Sequence, residues 1–572
     1  LMKPIARTPF LSLLLTIMTS MLVSLPAQGS ETVSKPNIIL ILADDLGYGD
    51  IGAFGGEIDT PNLDALADNG IRLTNFHTQA SCSPARSMIL SGVDNHLNGM
   101  GTMAEDLLPH HEGLPGYVGY LNHRVKTIAT VLKQSGYHTY LSGKWHLGYE
   151  QDQRPFARGF EKTFALLNGT AAHFDSTGAN ALQPKGTYTR NGKITERPQG
   201  YSSDLFTDEL IKQIDGERED GKPFFAYLSF TAPHWPLQAP APLIEKYRDT
   251  YQSGWDRLRR TRFERMQSKK LIGPDVTYPQ RLQEVPAWNS LSASEQQVEA
   301  RKMAVYAAMV DNLDANIGRL VTYLKKYNLY DNSVIVFFSD NGTDPYDRSE
   351  RAIYKDWIAA NFDNRLENIG HQNSYTFYGP GWAQAGGVHL RHHKFLPGEG
   401  GTRTPTIVRL PSTTGGQVKR EFASILDLVP TFLSMAKVTL PDDSYAQHHA
   451  PQGRSLLPWL QGKHTRVYGE DESVSFELFG HGAVYRGPWK AVKVRAPWGD
   501  SRWSLYHLEN DPTESQPLNQ THPDVLKQLI SDHRAYRKRN QVITEPDNAT
   551  AYPNKPTYIK FQPREGLVRE SR

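Results

Sequence analysis

The sequence predicts an α/β protein: a doubly wound, mostly parallel sheet flanked by helices, followed by a smaller C-terminal unit of antiparallel strands with one helix. Three observations carry this. The apolar runs 37–43 and 334–338 are β-branched and end in polar turns, which suits strands buried on both faces of a parallel sheet. Helical periodicity separates them, most clearly over 306–324. After residue 461 the long helices give way to short strand-like runs.

Taken in order, residues 1–29 read as a secretory signal, with basic Lys3 and Arg7, an apolar run over 10–25 and small residues up to Gly29. The run is short for a membrane span and no second one follows. The expectation is a cleaved signal and a secreted or periplasmic protein with no membrane anchor. The strand 37–43 ends in Asp44-Asp45, and Gly47, Gly49 and Gly52 loosen the turn after it. Thr60-Pro61 reads as a helix start with Thr60 as cap. A helix over 125–134, a strand at 138–141 and a strand over 223–230 follow, the last leading into Ala232-Pro233-His234. Residues 239–286 read as a charged, partly helical insertion, with Arg257-Leu258-Arg259-Arg260 as a solvated face. Ser292 and Glu295 form a capping-box pattern ahead of a helix whose apolar positions include Tyr306, Val310, Leu313, Ile317, Leu320, Val321 and Leu324. The strand 334–338 then runs into Asp340-Asn341. Repeated strand–helix units place residues 30–460 in one α/β domain, with ligands expected at the carboxyl ends of its strands. Short runs at 473–479, 483–485, 489–494 and 503–508, a helix at 524–537 and a Pro-rich tail make 461–572 the second unit.

Composition narrows the function. With 63 basic and 61 acidic residues among 572, nothing points to a nucleic-acid partner. Cys82 is the only cysteine, so no intramolecular disulfide exists. Most free cysteines are simply small buried hydrophobes. In an exported chain, a lone thiol next to Pro84 and Arg86 also suits a residue kept for its chemistry.

Several short motifs carry chemistry. Asp44-Asp45 and Asp340-Asn341 each close an apolar strand. Three carboxylates and an amide oxygen suit a hard cation, Ca²⁺ or Mg²⁺, and suit zinc poorly. Aspartates at strand ends also serve as turn formers. The segment 87–90 looks helical, which sets Cys82 near a helix N-terminus, where backbone N–H groups favour anions. Arg86, one turn along, adds a guanidinium fork for a tetrahedral oxyanion. Lys144 and His146 follow a strand two residues apart and in extended backbone point the same way. His234, between Pro233 and Pro236, suits a general acid or base. Lys394 precedes a Gly400-Gly401 turn and offers a third cation. Each of these alone is as well explained by a surface or structural role.

As an ordered set they resemble the formylglycine-dependent sulfatases of the alkaline phosphatase superfamily, from Asn37 to about Arg537. The motif Cys82-Ser83-Pro84-Ala85-Arg86 carries the resemblance, and the segments 51–58, 99–105 and 229–240 are similar to bacterial arylsulfatases of the Pseudomonas type. Ala85 stands where Ser or Thr is commoner, and Ser91 where Thr is usual. The resemblance implies an alkaline phosphatase-like fold, Ca²⁺ held by Asp44, Asp45, Asp340 and Asn341, and formylglycine at Cys82 made by a maturation enzyme. It also implies a sulfate pocket of Arg86, Lys144, His146, His234 and Lys394, with His146 as base and His234 with Lys394 at the leaving oxygen. The expected substrates are aryl or alkyl sulfates. A polysaccharide sulfatase and a related phosphate or phosphonate ester hydrolase are the alternatives, and an inactive anion-binding protein is the rival of another class. The segments 239–286 and 344–382 are expected to shape the pocket mouth.

Overall fold

The structure, a computed structural model, describes residues 35–441, 443–546 and 558. The expected signal at 1–29 and most of the Pro-rich tail lie outside the described residues. A ten-stranded sheet forms the body. From one edge its strands are Gln417–Lys419, Ile71–Leu73, Thr406–Arg409, Ser333–Ser339, Asn37–Ala43, Phe224–Ser229, His138–Lys144, Lys162–Leu166, Tyr188–Arg190 and Lys193–Thr195. The run from Ser333–Ser339 to Lys162–Leu166 is parallel. Antiparallel partners extend it on both sides. The central strands are fully buried and read as continuous apolar runs, as a sheet covered on both faces requires.

Helices cover both faces. The 34-residue helix Ala293–Lys326 lies on one face, and the predicted Ser292–Glu295 capping box is formed. Its apolar stripe, Tyr306, Val310, Leu313, Ile317 and Leu320, packs with Ile39 and Ile41 of the central strand in one core. The opposite core joins Ile38, Leu40 and Leu42 to Met88, Ile89 and Leu90 of the helix Cys82–Ser91. Alternate residues of a single strand thus feed two cores. Thr60 precedes the helix Pro61–Asp68 as predicted, but its side chain does not cap it; the hydroxyl accepts from Gly52 N–H and faces Asp64 instead.

The insertion departs from the sequence reading. Arg257 and Arg260 are exposed, but Arg259 is buried and donates to the carbonyls of Val388 and Pro279. Arg262 is wholly buried, pairing with Asp50 at 2.5 Å and with Glu57 at 2.8 Å. The helix Gly254–Ser268 therefore buries Arg259, Arg262, Phe263 and Met266 on one face, with guanidinium groups in core positions. That buried face braces the turn after Asp44-Asp45, while Arg257 and Arg260 face water as expected.

The C-terminal strands Ser473–Leu478, His481–Arg486, Trp489–Lys493 and Trp503–His507 form an antiparallel meander, with the helix Pro523–Arg539 against it. Polar cross-links tie it to the main sheet. Lys490, fully buried, reaches Glu399 at 2.9 Å and Glu514 at 2.8 Å. His96 bridges Asp94 at 2.8 Å and Glu477 at 2.5 Å. Among the described residues no helix is long and apolar enough to cross a membrane.

Candidate active site

The parallel register pairs Ala43 with Ser339, so the two acidic strand ends emerge side by side. Asp340 N–H donates to Ala43 O, and Asp45 N–H faces Asp340 Oδ1 at 3.4 Å. Asp45 takes a left-handed φ of 65°, which turns its carboxylate back over the strand ends. Cys82 is the first residue of its helix, with its Sγ 3.4 Å from Asp44 Oδ1 and 3.9 Å from Asp45 Oδ1. One helical turn on, Arg86 Nε donates to Asp340 at 2.9 Å and Nη1 to Ser229 Oγ at 2.6 Å. Its Nη2 is buried and has no hydrogen-bond partner.

Two ammonium groups close the cluster. Lys144, the last residue of its strand, donates to Asp44 at 2.7 Å. Lys394 donates to both oxygens of Asp45, at 2.7 and 2.9 Å. Its loop is fixed by main chain, with Lys394 N–H on Thr343 O and Phe395 N–H on Ala80 O. Gly342 and Gly400 meet so closely that a Cβ on Gly342 would stand 1.8 Å from Gly400 O. The loop carrying Lys394 thus rests directly on the one carrying Asn341.

His234 Nδ1 lies 2.7 Å from Trp235 O, an acceptor, so that nitrogen carries the proton and Nε2 is bare. Nε2 faces Asp45 at 3.5 Å. Burial, helped by Lys394 and Lys144, holds the imidazole well below its ordinary pKa, so it is neutral. His146 leaves the extended backbone expected between it and Lys144. Its backbone turns to φ 58° after the strand, and its Nε2 pairs with Glu105 at 3.1 Å. Eight of the ten predicted residues therefore join one buried, hydrogen-bonded cluster; His234 faces Asp45 without a hydrogen bond to it, and His146 pairs with Glu105.

Sequence reading missed several contributors. Ser229 links Arg86 to the Lys144 carbonyl. Asp344 accepts from Trp235 Nε1 and pairs with Arg348, while lying 3.9 Å from Lys394. Position gave a usable signal: Ser229 ends a central strand, and Asp344 lies one helical turn's length beyond Asp340. Glu105 lay within the segment 99–105.

The acidic set fits a hard cation. Asn341 donates through Nδ2 to Asp45 at 2.6 Å, yet its Oδ1 is buried without a hydrogen-bond partner. Burial, with Asp340 alongside, pushes Asp44 above the ordinary carboxylate range despite Lys144. Burial pushes Asp45 up to about 7 against the pull of Lys394. Asp340 is held low, because Arg86, Lys144 and Lys394 outweigh its burial. An orphan amide oxygen beside crowded carboxylates is a donor set that a divalent oxygen-seeking ion satisfies. The three acids are matched by the cations Arg86, Lys144 and Lys394.

Comparison with known proteins agrees. The family model described as Sulfatase matches residues 36–438. The chain is 41% identical to an uncharacterized sulfatase of Schizosaccharomyces pombe over 541 residues, covering 90% of this chain and 96% of that one. It is 36% identical to an arylsulfatase of Klebsiella aerogenes over 427 residues, covering 72% of this chain and 89% of that one. The crystal structure of Ps i-CgsB superposes with a TM-score of 0.65 at 25% identity, covering 89% of this chain and 94% of that chain. With the fold, the site and these matches agreeing, the chain belongs to the sulfatase family of the alkaline phosphatase superfamily and is a sulfuric ester hydrolase.

Proposed function

We propose that the protein hydrolyses aryl or alkyl sulfate monoesters, releasing the phenol or alcohol and inorganic sulfate. The observation that carries this reading is the convergence at Cys82: a helix N-terminus, the free Nη2 of Arg86, two ammonium groups and an oxygen-rich cation site. Burial, with Asp340 and Asp44 close by, pushes the Cys82 thiol well above its ordinary pKa, which makes it a poor thiolate nucleophile. Converted to formylglycine and hydrated, position 82 supplies two hydroxyls, one to attack sulfur and one whose loss of a proton expels sulfate. Asp44, Asp45, Asp340 and Asn341 would hold a divalent ion, which we assign as Ca²⁺, and when bound it would supply positive charge that lowers the pKa of a nearby hydroxyl.

The remaining work falls to the chain's own side chains. Arg86 Nη2 and the Lys144 ammonium offset charge on the sulfate oxygens, from positions set by Ser229 and Asp44. Lys394 stands ready to donate to the departing ester oxygen. His234 presents a bare Nε2 there and donates only after taking up a proton. His146 is the base for the second hydroxyl. Cys82 is only 2% exposed, which supports conversion by a maturation enzyme before or during folding. The start at 3–25 supports export, with 30–460 carrying catalysis and 461–572 supporting it.

A sulfated sugar is the second reading, supported by similarity to an N-acetylglucosamine-6-O-sulfatase of Bacteroides thetaiotaomicron. Trp235 packs on Tyr354, Tyr375 and Phe377 with the Arg348 guanidinium over its ring. These residues form a buried cluster that ties 344–382 to the loop of His234, whereas 239–286 braces the loop beneath the acids.

The test combines a mass spectrum of the Cys82 peptide with kcat/KM on aryl sulfate, sulfated sugars and aryl phosphate. The aldehyde, a preference for sulfate over phosphate and loss of turnover in Cys82→Ala are expected. An unmodified thiol in fully active enzyme, or a clear preference for phosphate, overturns the reading.

A further inference from the structure

We propose that Glu105 is a positioning residue that fixes the His146 proton on Nε2 and leaves Nδ1 as the nitrogen that takes a proton during sulfate release. The inference rests on His146 being the base, and deepens that reading.

The geometry is specific. Both carboxylate oxygens of Glu105 face His146 Nε2, at 3.1 and 3.3 Å. A carboxylate only accepts, so Nε2 carries the hydrogen. His146 Nδ1 is buried and has no hydrogen-bond partner. A buried imidazole nitrogen without a partner is costly unless a ligand or substrate group completes it. The ring has little freedom to turn: it lies against Gly169, where an added Cβ would stand 2.7 Å from Nε2, and its backbone N–H donates to Leu167 O.

Glu105 is itself anchored to the site. It sits on the short turn Ala104–Asp106. The preceding Met103 packs with Tyr346 and Phe395, the residue after Lys394. Met103 sulfur also accepts from the hydroxyl of Ser81, which precedes Cys82. The turn therefore follows the two loops that carry Cys82 and Lys394. The Glu105 side chain is 34% exposed; partial desolvation works to raise its carboxyl, but His146 and its hydrogen bond hold it below the ordinary value, so it stays ionised. The other charged or titratable groups facing it are Lys144, Asp106 and Tyr149. Asp106 in turn faces Arg351, Arg348 and Lys394. A carboxylate that orients a catalytic imidazole and stabilises its cation is a recurring device.

The experiment uses the matured enzyme, Glu105→Gln and, as a neighbouring-charge control, Asp106→Asn. Glu105→Gln is expected to lose roughly 10–100-fold in kcat with KM within about twofold, a share of what general base catalysis supplies. Removing the carboxylate disfavours the imidazolium, so the acidic limb of the pH–kcat profile moves to lower pH. Asp106→Asn stays within about threefold of wild type. Independently of turnover, ¹⁵N spectra of histidine-labelled protein, assigned with His146→Gln, report the tautomer. The Nε2–H form in wild type supports the inference, and an Nδ1–H form overturns it. A Glu105→Gln variant with unchanged kcat and an unmoved acidic limb also overturns it. Wild-type protein that turns over no sulfate ester sinks the proposed function instead, and the tautomer spectrum still decides the pairing.

Discussion

Lys490→Met removes the ammonium that joins the C-terminal sheet to the loop of Lys394. Lys490 is fully buried and lies 2.9 Å from Glu399 and 2.8 Å from Glu514. Methionine keeps the length and apolar stem and deletes only the charge. Glu399 retains the Tyr485 hydroxyl at 3.0 Å and Arg403 at 3.4 Å, while Glu514 retains the Glu399 N–H at 2.8 Å. Removing one partner of a buried ion pair costs about 3–5 kcal/mol. For a chain of this size, 1 kcal/mol shifts Tm by roughly 1–2 °C, so Tm should fall by about 3–10 °C. The pH dependence separates an electrostatic loss from a packing one. In the wild type Lys490 leads the groups that hold Glu399 below its ordinary pKa against burial. That stability is present above the ordinary carboxylate range and fades as pH falls. Burial already holds Glu514 above its ordinary pKa in the wild type despite Lys490, and in the variant burial of both carboxylates loses its main opposition, so both move up. Stability is then lost as pH rises through those raised values. Both effects make the deficit larger at pH 8 than at pH 5. Calorimetric scans of both proteins at the two pH values check it. A deficit below about 1 °C, or one equal at both pH values, would refute the reasoning.

His96 gives a second pH signature. Burial opposes its charge, but Asp94 and Glu477 win and raise its pKa to about 9. A raised folded pKa gives stability that is whole below about 6.5 and lost as pH rises through about 9, up to about 3 kcal/mol. Thermal scans from pH 6 to 10 should show the fall, and Glu477→Gln should move it to lower pH; a flat wild-type profile contradicts the assignment. Gly342→Ala should lower Tm and cut turnover at least tenfold, because the new Cβ has no room beside Gly400 O. Wild-type kcat in that variant would show that the Lys394 loop can move without cost.

Much of the site was legible because strand ends are legible. An apolar run that stops at Asp44-Asp45, and another that stops at Asp340-Asn341, says where two carboxyl ends lie, and parallel pairing does the rest. Cys82 to Arg86 is spaced as one helical turn, so its geometry follows from the sequence. Partners distant in the chain were not legible. Nothing local marks Glu105 as the neighbour of His146, or Lys490 as that of Glu399. The turn that replaces the extended backbone expected from Lys144 to His146 was not legible: the strand ends at Lys144 and His146 takes a left-handed φ. The solvated face at 257–260 holds for Arg257 and Arg260 but not for Arg259, which with Arg262 takes a core position that is normally apolar. Edge strands of three residues, such as Gln417–Lys419, are too short to leave a periodic signal.

The packing of Gly342 against Gly400 bears on how such a pocket can diversify. Lys394, Asn341 and Cys82 are joined through main-chain bonds and bare glycine contact, so variation there moves several reacting groups together. Asp344, Arg348 and Trp235 meet the same pocket mainly through side chains. A lineage, or an engineer, in search of a new leaving group has room on that side alone, with the rear wall passed down unaltered.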